Sequence, residues 1–143
     1  MVTSEQIVPL PYRYIQGLNL SLAGNKSLTL APGQARDSTN QFDLVIPNPI
    51  TIDATKEGAN GLEPDTTLAG NLFYSVYVIG SSRGFATPAA LIATFGTTPR
   101  LPEGYDLFSL IGVWNTDGAI NFFNLYQTGT GATRNYFYDT TQN

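Results

Sequence analysis

The chain has 143 residues, a formal net charge of −4, no cysteine and no histidine, and this length predicts one domain with a buried core. The lack of cysteine excludes disulfides and thiolate metal sites, so stability has to come from packing or from oligomerisation. Charged residues make up 13% of the chain, about half the usual share, and its basic residues are scattered, which argues against binding to nucleic acid or to an anionic membrane.

The first fifty residues show apolar side chains at every second position, the pattern of half-buried β-strands. Residues 18–22 and 28–30 are predicted to form a strand pair with its turn at Gly24-Asn25. Residues 42–46 and 50–52 follow as two strands, and the Pro-Asn-Pro segment between them requires a turn or a sheet edge.

The middle of the chain contains the strongest strand signal. Residues 54–71 are polar and predict a long surface loop, whereas residues 72–79 are aromatic or β-branched on both faces and predict a central strand. A turn at 80–84 then leads to a strand at 89–95, although the alanines of that segment would also permit a short helix.

The last third contains a predicted hairpin. Two apolar runs, 107–116 and 119–126, meet at Asp117-Gly118, a pair typical of a type I′ turn. Gly112, inside the first run, predicts a bulge or a close backbone approach, and no helical periodicity is evident. We therefore expect one all-β domain over 1–143, an antiparallel β-sandwich of jelly-roll type with about eight short strands. Residues 1–14 and 127–143 are possible extended arms.

The residue types argue against catalysis. Without His or Cys, the usual general base and the best nucleophile are missing. Most of the acids lie beside Ser, Thr, Gly or Pro, where a carboxylate caps its own backbone, so a paired-carboxylate glycosidase is the weaker interpretation. The acids considered are Asp37, Asp43, Asp53, Glu57, Glu63, Asp65, Glu103, Asp106, Asp117 and Asp139.

The same reasoning predicts no metal or cofactor. Glu57, Glu63 and Asp65 could converge on calcium, but they lack the spacing of an EF-hand loop. A solvated loop is the simpler interpretation of these three acids. We therefore expect no enzyme activity, no resident metal and no cofactor.

Tyrosine-rich segments near both ends are candidates for contact with a partner, because a tyrosine ring buries area while its hydroxyl stays hydrogen-bonded. The residues are Tyr12, Tyr14, Tyr136, Phe137 and Tyr138. Burial of alternate members in the core explains them equally well. Trp114, the single tryptophan, is expected in the core, with stacking on a sugar ring as the alternative.

Six stretches between residues 15 and 126 resemble, in order and spacing, a family of small β modules found in structural proteins of tailed bacteriophages. They are IQGL at 15–18, LAPGQARDST at 30–39, GANGL at 58–62, LFYSVYVI at 72–79, PRLPEGYD at 99–106 and IGVWNTDG at 111–118. The resemblance implies a structural role in the virion and assigns no catalytic residue.

The short length and the absence of a repetitive shaft favour a capsid decoration (cement) protein within this class. Such a protein would be made in the host cytoplasm and become part of the virion. Its expected partners are the major capsid protein or other virion proteins, and copies of itself as a dimer or trimer. The alternative is a head-fibre or tail-fibre module that recognises host surface polysaccharide.

Overall fold

The computed structural model describes residues 15–123 and the backbone of residues 125–128 and 135–138. Within that part of the chain all regular structure is β, and no helix capable of crossing a membrane is found there. The strands are β1 (Ile15–Gly17), β2 (Leu20–Gly24), β3 (Ser27–Leu30), β4 (Gly33–Arg36), β5 (Asp43–Ile46), β6 (Ile50–Asp53), β7 (Gly61–Leu62), β8 (Phe73–Gly80), β9 (Ala89–Thr94), β10 (Leu107–Asn115), β11 (Leu125–Thr128) and β12 (Asn135–Tyr138).

The strands form three sheets with orders β1-β4-β5, β10-β8-β9-β7 and β12-β11-β2-β3-β6. All pairs are antiparallel except β7–β9. The predicted all-β, sandwich-like fold is confirmed. Twelve described strands replace the expected eight. Strands β1, β4 and β7 have only two to four residues each and show too little alternation to be recognised in a sequence. The fourth additional strand, β12, lies in the segment 127–143 that the sequence suggested as a possible arm.

Strand β8 is central, as predicted, and is buried on both faces. Val76 and Val78 belong to the same apolar cluster as Leu28 of the five-stranded sheet, so these two sheets share the main core. Tyr77 and Ile79 point the other way, into a second cluster covered in part by residues after β9. Because both faces of β8 are packed, its continuous apolar sequence needs no polar alternation.

Strand β10 contains the bulge that its glycine predicts. Leu110 pairs with Tyr77 and Gly112 pairs with Val76, so Ile111 is the extra residue. The extra residue reverses the alternation of side chains along the strand. Trp114 is therefore directed into the main core, where it is 1% exposed.

The reversal after β10 is wider than the sequence predicts. Neither Asp117 nor Gly118 has a positive φ; the left-handed residue is Ile120, at φ 64°. The Asp117 carboxylate accepts hydrogen bonds from the N–H groups of Ala119, at 2.8 Å, and Asn121, at 3.0 Å. The type I′ turn was therefore the wrong prediction, because this carboxylate stabilises a loop over residues 117–121, and strand β11 begins only at Leu125.

Two other local predictions shift slightly. The β2–β3 turn lies at Asn25 and Lys26, one residue later than predicted, beside a register irregularity between Leu22 and Gly24. Residues 54–71 are largely loop, as expected, but they include the short parallel strand β7. Residues 89–94 form a strand, so the helical alternative is wrong.

We predict that Gly118→Ala changes the free energy of unfolding by no more than about 0.5 kcal/mol. A Cβ at this position would meet only the Asn71 side chain, at 3.6 Å, whereas in a type I′ turn it would cost about 1–2 kcal/mol. The matched variant Gly33→Ala should cost about 2 kcal/mol or more, since its Cβ would overlap the backbone of Gln16 and Leu18. Urea unfolding measures both free energies. A loss of about 1 kcal/mol or more in Gly118→Ala would instead support the type I′ turn.

Candidate interaction surface

The long loop between β6 and β8 is held against the sheet by one buried carboxylate. Glu63 is 1% exposed and accepts hydrogen bonds from the backbone N–H of Thr94, at 2.8 Å, and of Arg100, at 2.9 Å. The hydroxyl of Thr66 donates to the same carboxylate at 3.2 Å. Glu63 therefore connects the loop to the end of β9 and to the segment that follows it.

The guanidinium of Arg100 completes this arrangement. It lies 3.8 Å from the Glu63 carboxylate and donates to the carbonyl oxygens of Pro64 and Asp65 and to the Thr66 hydroxyl. Burial alone would raise the pKa of Glu63, but the N–H donors of Arg100 and Thr94 and the Arg100 charge outweigh it, so the pKa lies below its ordinary value. The carboxylate is thus held ionised in a buried position.

A second set of bonds holds the end of the loop. The Thr116 hydroxyl donates to the carbonyl of Ala69 at 2.6 Å and accepts from the N–H of Leu72 at 3.2 Å. The N–H of Ala69 donates to the Tyr74 hydroxyl at 2.7 Å. Residues 63–72 therefore have a fixed conformation although they form no strand.

This fixed loop borders an uncharged cleft, which we call the aromatic cleft. Its exposed apolar side chains are Leu72, Phe73 and Phe95; the two phenylalanines are 57% and 54% exposed, with ring centroids 6.0 Å apart. The cleft has a volume of about 370 Å³, within the usual range for binding pockets. Its lining residues are Thr66, Thr67, Asn71, Leu72, Phe73, Tyr74, Thr94 and Phe95.

A second cleft lies on the other side of Thr66 and Thr67, and we call it the Ile120 cleft. Its volume is about 350 Å³. Leu62 and Leu68 are apolar walls, and its charged lining residues are Lys26, Lys56 and Glu57. Ile120 is exposed and has a left-handed backbone, which is unfavourable for a β-branched residue. Because the two clefts share Thr66 and Thr67, four exposed apolar side chains lie on or beside one fixed loop: Leu72, Phe73, Phe95 and Ile120.

A third apolar feature is the loop between β8 and β9. Phe85 is 73% exposed, the most of any large hydrophobic side chain among residues 15–123. The Asp106 carboxylate accepts from the N–H and the hydroxyl of Ser82, and the Ser81 hydroxyl accepts from the N–H of Phe85 at 3.0 Å. We call residues 81–87 the Phe85 loop.

Most of the acids considered in the sequence analysis accept hydrogen bonds from backbone N–H groups, as expected. The Asp37 carboxylate is buried and accepts from the Thr39 hydroxyl and from the N–H groups of Thr39, Gln41 and Phe42. Burial would raise the pKa of Asp37, but these hydrogen bonds outweigh it and the pKa is lowered. Asp53, Asp106 and Asp117 likewise accept from Thr55, Ser82 and Ala119.

The possible calcium set does not come together. Glu63 is committed to backbone donors, and Glu57 accepts from the N–H of Asp65 at 2.8 Å. No group of three or more metal-ligating side chains exists in the described part of the chain.

The aromatic residues proposed from the sequence have mixed outcomes. Trp114 is a core residue, as expected, and its Nε1 donates to the carbonyl of Phe123 at 2.8 Å. Stacking of Trp114 on a sugar ring is therefore the wrong alternative. Strand β12 contains Tyr136, Phe137 and Tyr138 and pairs with β11 at an edge of the five-stranded sheet. The side chains of these three residues lie outside the described part of the chain, as do Tyr12 and Tyr14.

The sequence did not single out Phe73, Phe85, Phe95 or Ile120. Phe73 and Phe95 fall at the end of predicted strands, where period-two alternation does not say whether a neighbouring element covers the last residue. Phe85 directly follows the turn residues Ser82, Arg83 and Gly84. A large apolar residue in a predicted turn was the sequence signal that could have indicated its exposure.

The fold and these surfaces define the chain as an all-β, sandwich-like protein with an exposed apolar surface around a fixed loop. No protein-family model, no curated protein and no solved structure matches the chain.

We predict that Glu63→Gln lowers the free energy of unfolding at pH 7 by about 2–3 kcal/mol, because buried N–H donors lose their charged acceptor. The folded-state pKa of Glu63 lies below its unfolded value, so this contribution is complete above the unfolded pKa, about 4.3, and is lost as pH falls through the folded pKa. Urea unfolding from pH 7 to pH 3 should therefore show the two proteins converging at low pH. The exposed Glu103→Gln is the matched control, and an equal deficit at both ends of this range would contradict the role of the charge.

Proposed function

We propose that this chain is a structural protein of a bacteriophage virion, most specifically a capsid decoration (cement) protein that binds the assembled shell. The observation that supports this role is the apolar surface around the fixed loop, where four large apolar side chains are exposed. Exposed large apolar side chains that cluster on one part of a surface are typical of interaction sites in soluble proteins. The sequence resemblance to phage β modules supplies the class of particle.

The composition of the chain supports the same role. With 13% charged residues, the molecule has weak charge repulsion between neighbours, which suits dense packing on a particle. Its loops are fixed before binding, so association costs little ordering entropy. A protein that binds only the assembled shell stabilises that shell by mass action, with about 2.7 kcal/mol per site at a free concentration of 100 times Kd.

We predict that phage particles assembled without this protein release their DNA at a lower temperature than decorated particles. Adding the purified chain to bare particles should restore the release temperature, with saturation at a fixed number of copies per particle. DNA release on a temperature ramp, read with an intercalating dye, provides the measurement. Equal release temperatures with and without bound protein would contradict the decoration role.

A matched pair of variants tests whether the apolar surface makes this contact. Ile120→Asn removes the apolar side chain and keeps a residue that tolerates the left-handed backbone. Val45→Asn removes a comparably exposed apolar side chain from β5, which belongs to the three-stranded sheet and lines neither cleft. Under the proposal, Ile120→Asn lowers the number of copies retained per particle and Val45→Asn leaves it unchanged.

The alternative function is a fibre module that recognises host polysaccharide. With Trp114 buried, the aromatic cleft is where a sugar ring would stack, on Phe73 and Phe95, with Asn71 and the threonines as hydrogen-bonding groups. A glycan array distinguishes the two functions. Saturable binding of host polysaccharide that is lost in Phe73→Ala would favour the fibre module, and no binding favours decoration.

A further inference from the structure

We propose that copies of this chain bind one another head to tail, with Phe85 of one copy inserted into the aromatic cleft of the next. This inference concerns the purified chain and does not rest on the virion role. It follows from three observations: a fixed protruding phenylalanine, an uncharged cleft that accepts an aromatic ring, and their positions at opposite ends of one hairpin.

The Phe85 loop presents its ring in a fixed position. Ser81 and Asp106 accept hydrogen bonds from this loop, as described above. In addition, the hydroxyl of Tyr105 donates to the carbonyl of Thr87 at 2.8 Å, and Gly84 turns the backbone with φ 73°. A loop held by side chains at both ends, with its phenylalanine 73% exposed, gains little for its own stability from that ring. Rigid aromatic anchors of this kind are typical of interface hot spots.

The aromatic cleft matches this ring in size and polarity. Its volume is about 370 Å³, and apolar cavities of about 150 Å³ already hold a benzene ring. Phe73 and Phe95 form two of its walls with an interplanar angle of 49°, so an inserted ring could meet an edge or a face. No charged residue lines the cleft, and a phenylalanine would therefore enter without desolvating a charge.

The two features cannot meet within one molecule. Strands β8 and β9 pair from Tyr74–Thr94 to Ile79–Ala89, so the aromatic cleft lies at the open end of this hairpin and the Phe85 loop closes the other end. At about 3.3 Å per residue, the length of β8 separates them by roughly 23 Å. A contact between different surfaces of two copies is heterologous, and it leads to a ring or a filament.

Charge beside the two features is balanced and does not oppose the contact. Arg83, two residues before Phe85, has Asp106 as a neighbouring opposite charge. Asp65, next to Thr66 of the cleft wall, has the exposed Arg100 guanidinium beside it. We expect weak association, with Kd on the order of 0.1 mM, because a single anchor buries less area than a standard interface.

Complementary variants test this proposal. Phe85→Ser removes the anchor and keeps the cleft, whereas the double variant Phe73→Ser with Phe95→Ser removes the cleft and keeps the anchor. In sedimentation velocity up to about 1 mM, the wild-type chain should grow beyond dimers, and each variant alone should associate about 10- to 100-fold more weakly. An equimolar mixture of the two should form dimers that grow no further, since only one productive contact remains.

The control is Phe42→Ser, which removes an exposed ring that lines neither feature and should leave self-association unchanged. A wild-type chain that stays monomeric at 1 mM would overturn the proposal. So would wild-type behaviour of either variant, or a mixture that fails to form dimers, which would point to a symmetric contact instead.

A second measurement keeps all three rings and covers the case in which a variant misfolds. Because the chain has no cysteine, Thr67→Cys and Thr87→Cys can be mixed and oxidised. A mixed disulfide in excess of both symmetric ones is expected for the head-to-tail contact. Random pairing would overturn it.

Discussion

The exposed surface of this protein depends on one buried carboxylate, that of Glu63, which accepts hydrogen bonds from three segments of the chain. A loop without strand pairing has to satisfy its backbone groups in another way, and here a single side chain accepts from the N–H groups of Thr94 and Arg100 and from the Thr66 hydroxyl. Only the carboxylate is buried, whereas the Arg100 side chain is 54% exposed. A buried charge contributes little net stability compared with apolar packing, but removal of one of its partners is costly. The interaction therefore acts chiefly to specify one loop conformation, which both clefts share.

Four other carboxylates are used in the same way, as acceptors for backbone N–H groups. Asp37, Asp53, Asp106 and Asp117 each accept hydrogen bonds from nearby backbone N–H groups. Hydrogen bonds to Asp53 and Asp106 lower the pKa of each carboxyl, mainly through the hydroxyls of Thr55 and Ser82. These acids therefore stabilise turns and loops and stay ionised while they do so.

The sequence predicted the all-β class, the central strand β8 and the bulge at Gly112, because each follows from residues close together in the chain. It placed a tight turn at Asp117-Gly118 because that dipeptide favours one, but the Asp117 carboxylate reaches Asn121 and widens the loop. The exposed surface was beyond sequence reasoning for a different reason. Exposure of Phe73 or Phe95 depends on which distant segment covers the strand end, and the position of that segment depends on Glu63 and Arg100, separated by 37 residues.

Fixed loops at both ends of the β8–β9 hairpin give these surfaces a common physical basis. An exposed apolar side chain on a mobile loop loses part of its binding free energy to ordering, whereas here hydrogen bonds made within the folded chain have already fixed both loops. The hairpin between them is packed on both faces, so it keeps the distance between the Phe85 loop and the aromatic cleft constant. Rigid spacing of unlike surfaces allows one contact to repeat from copy to copy, which is the property that a protein needs to form an ordered layer on a particle.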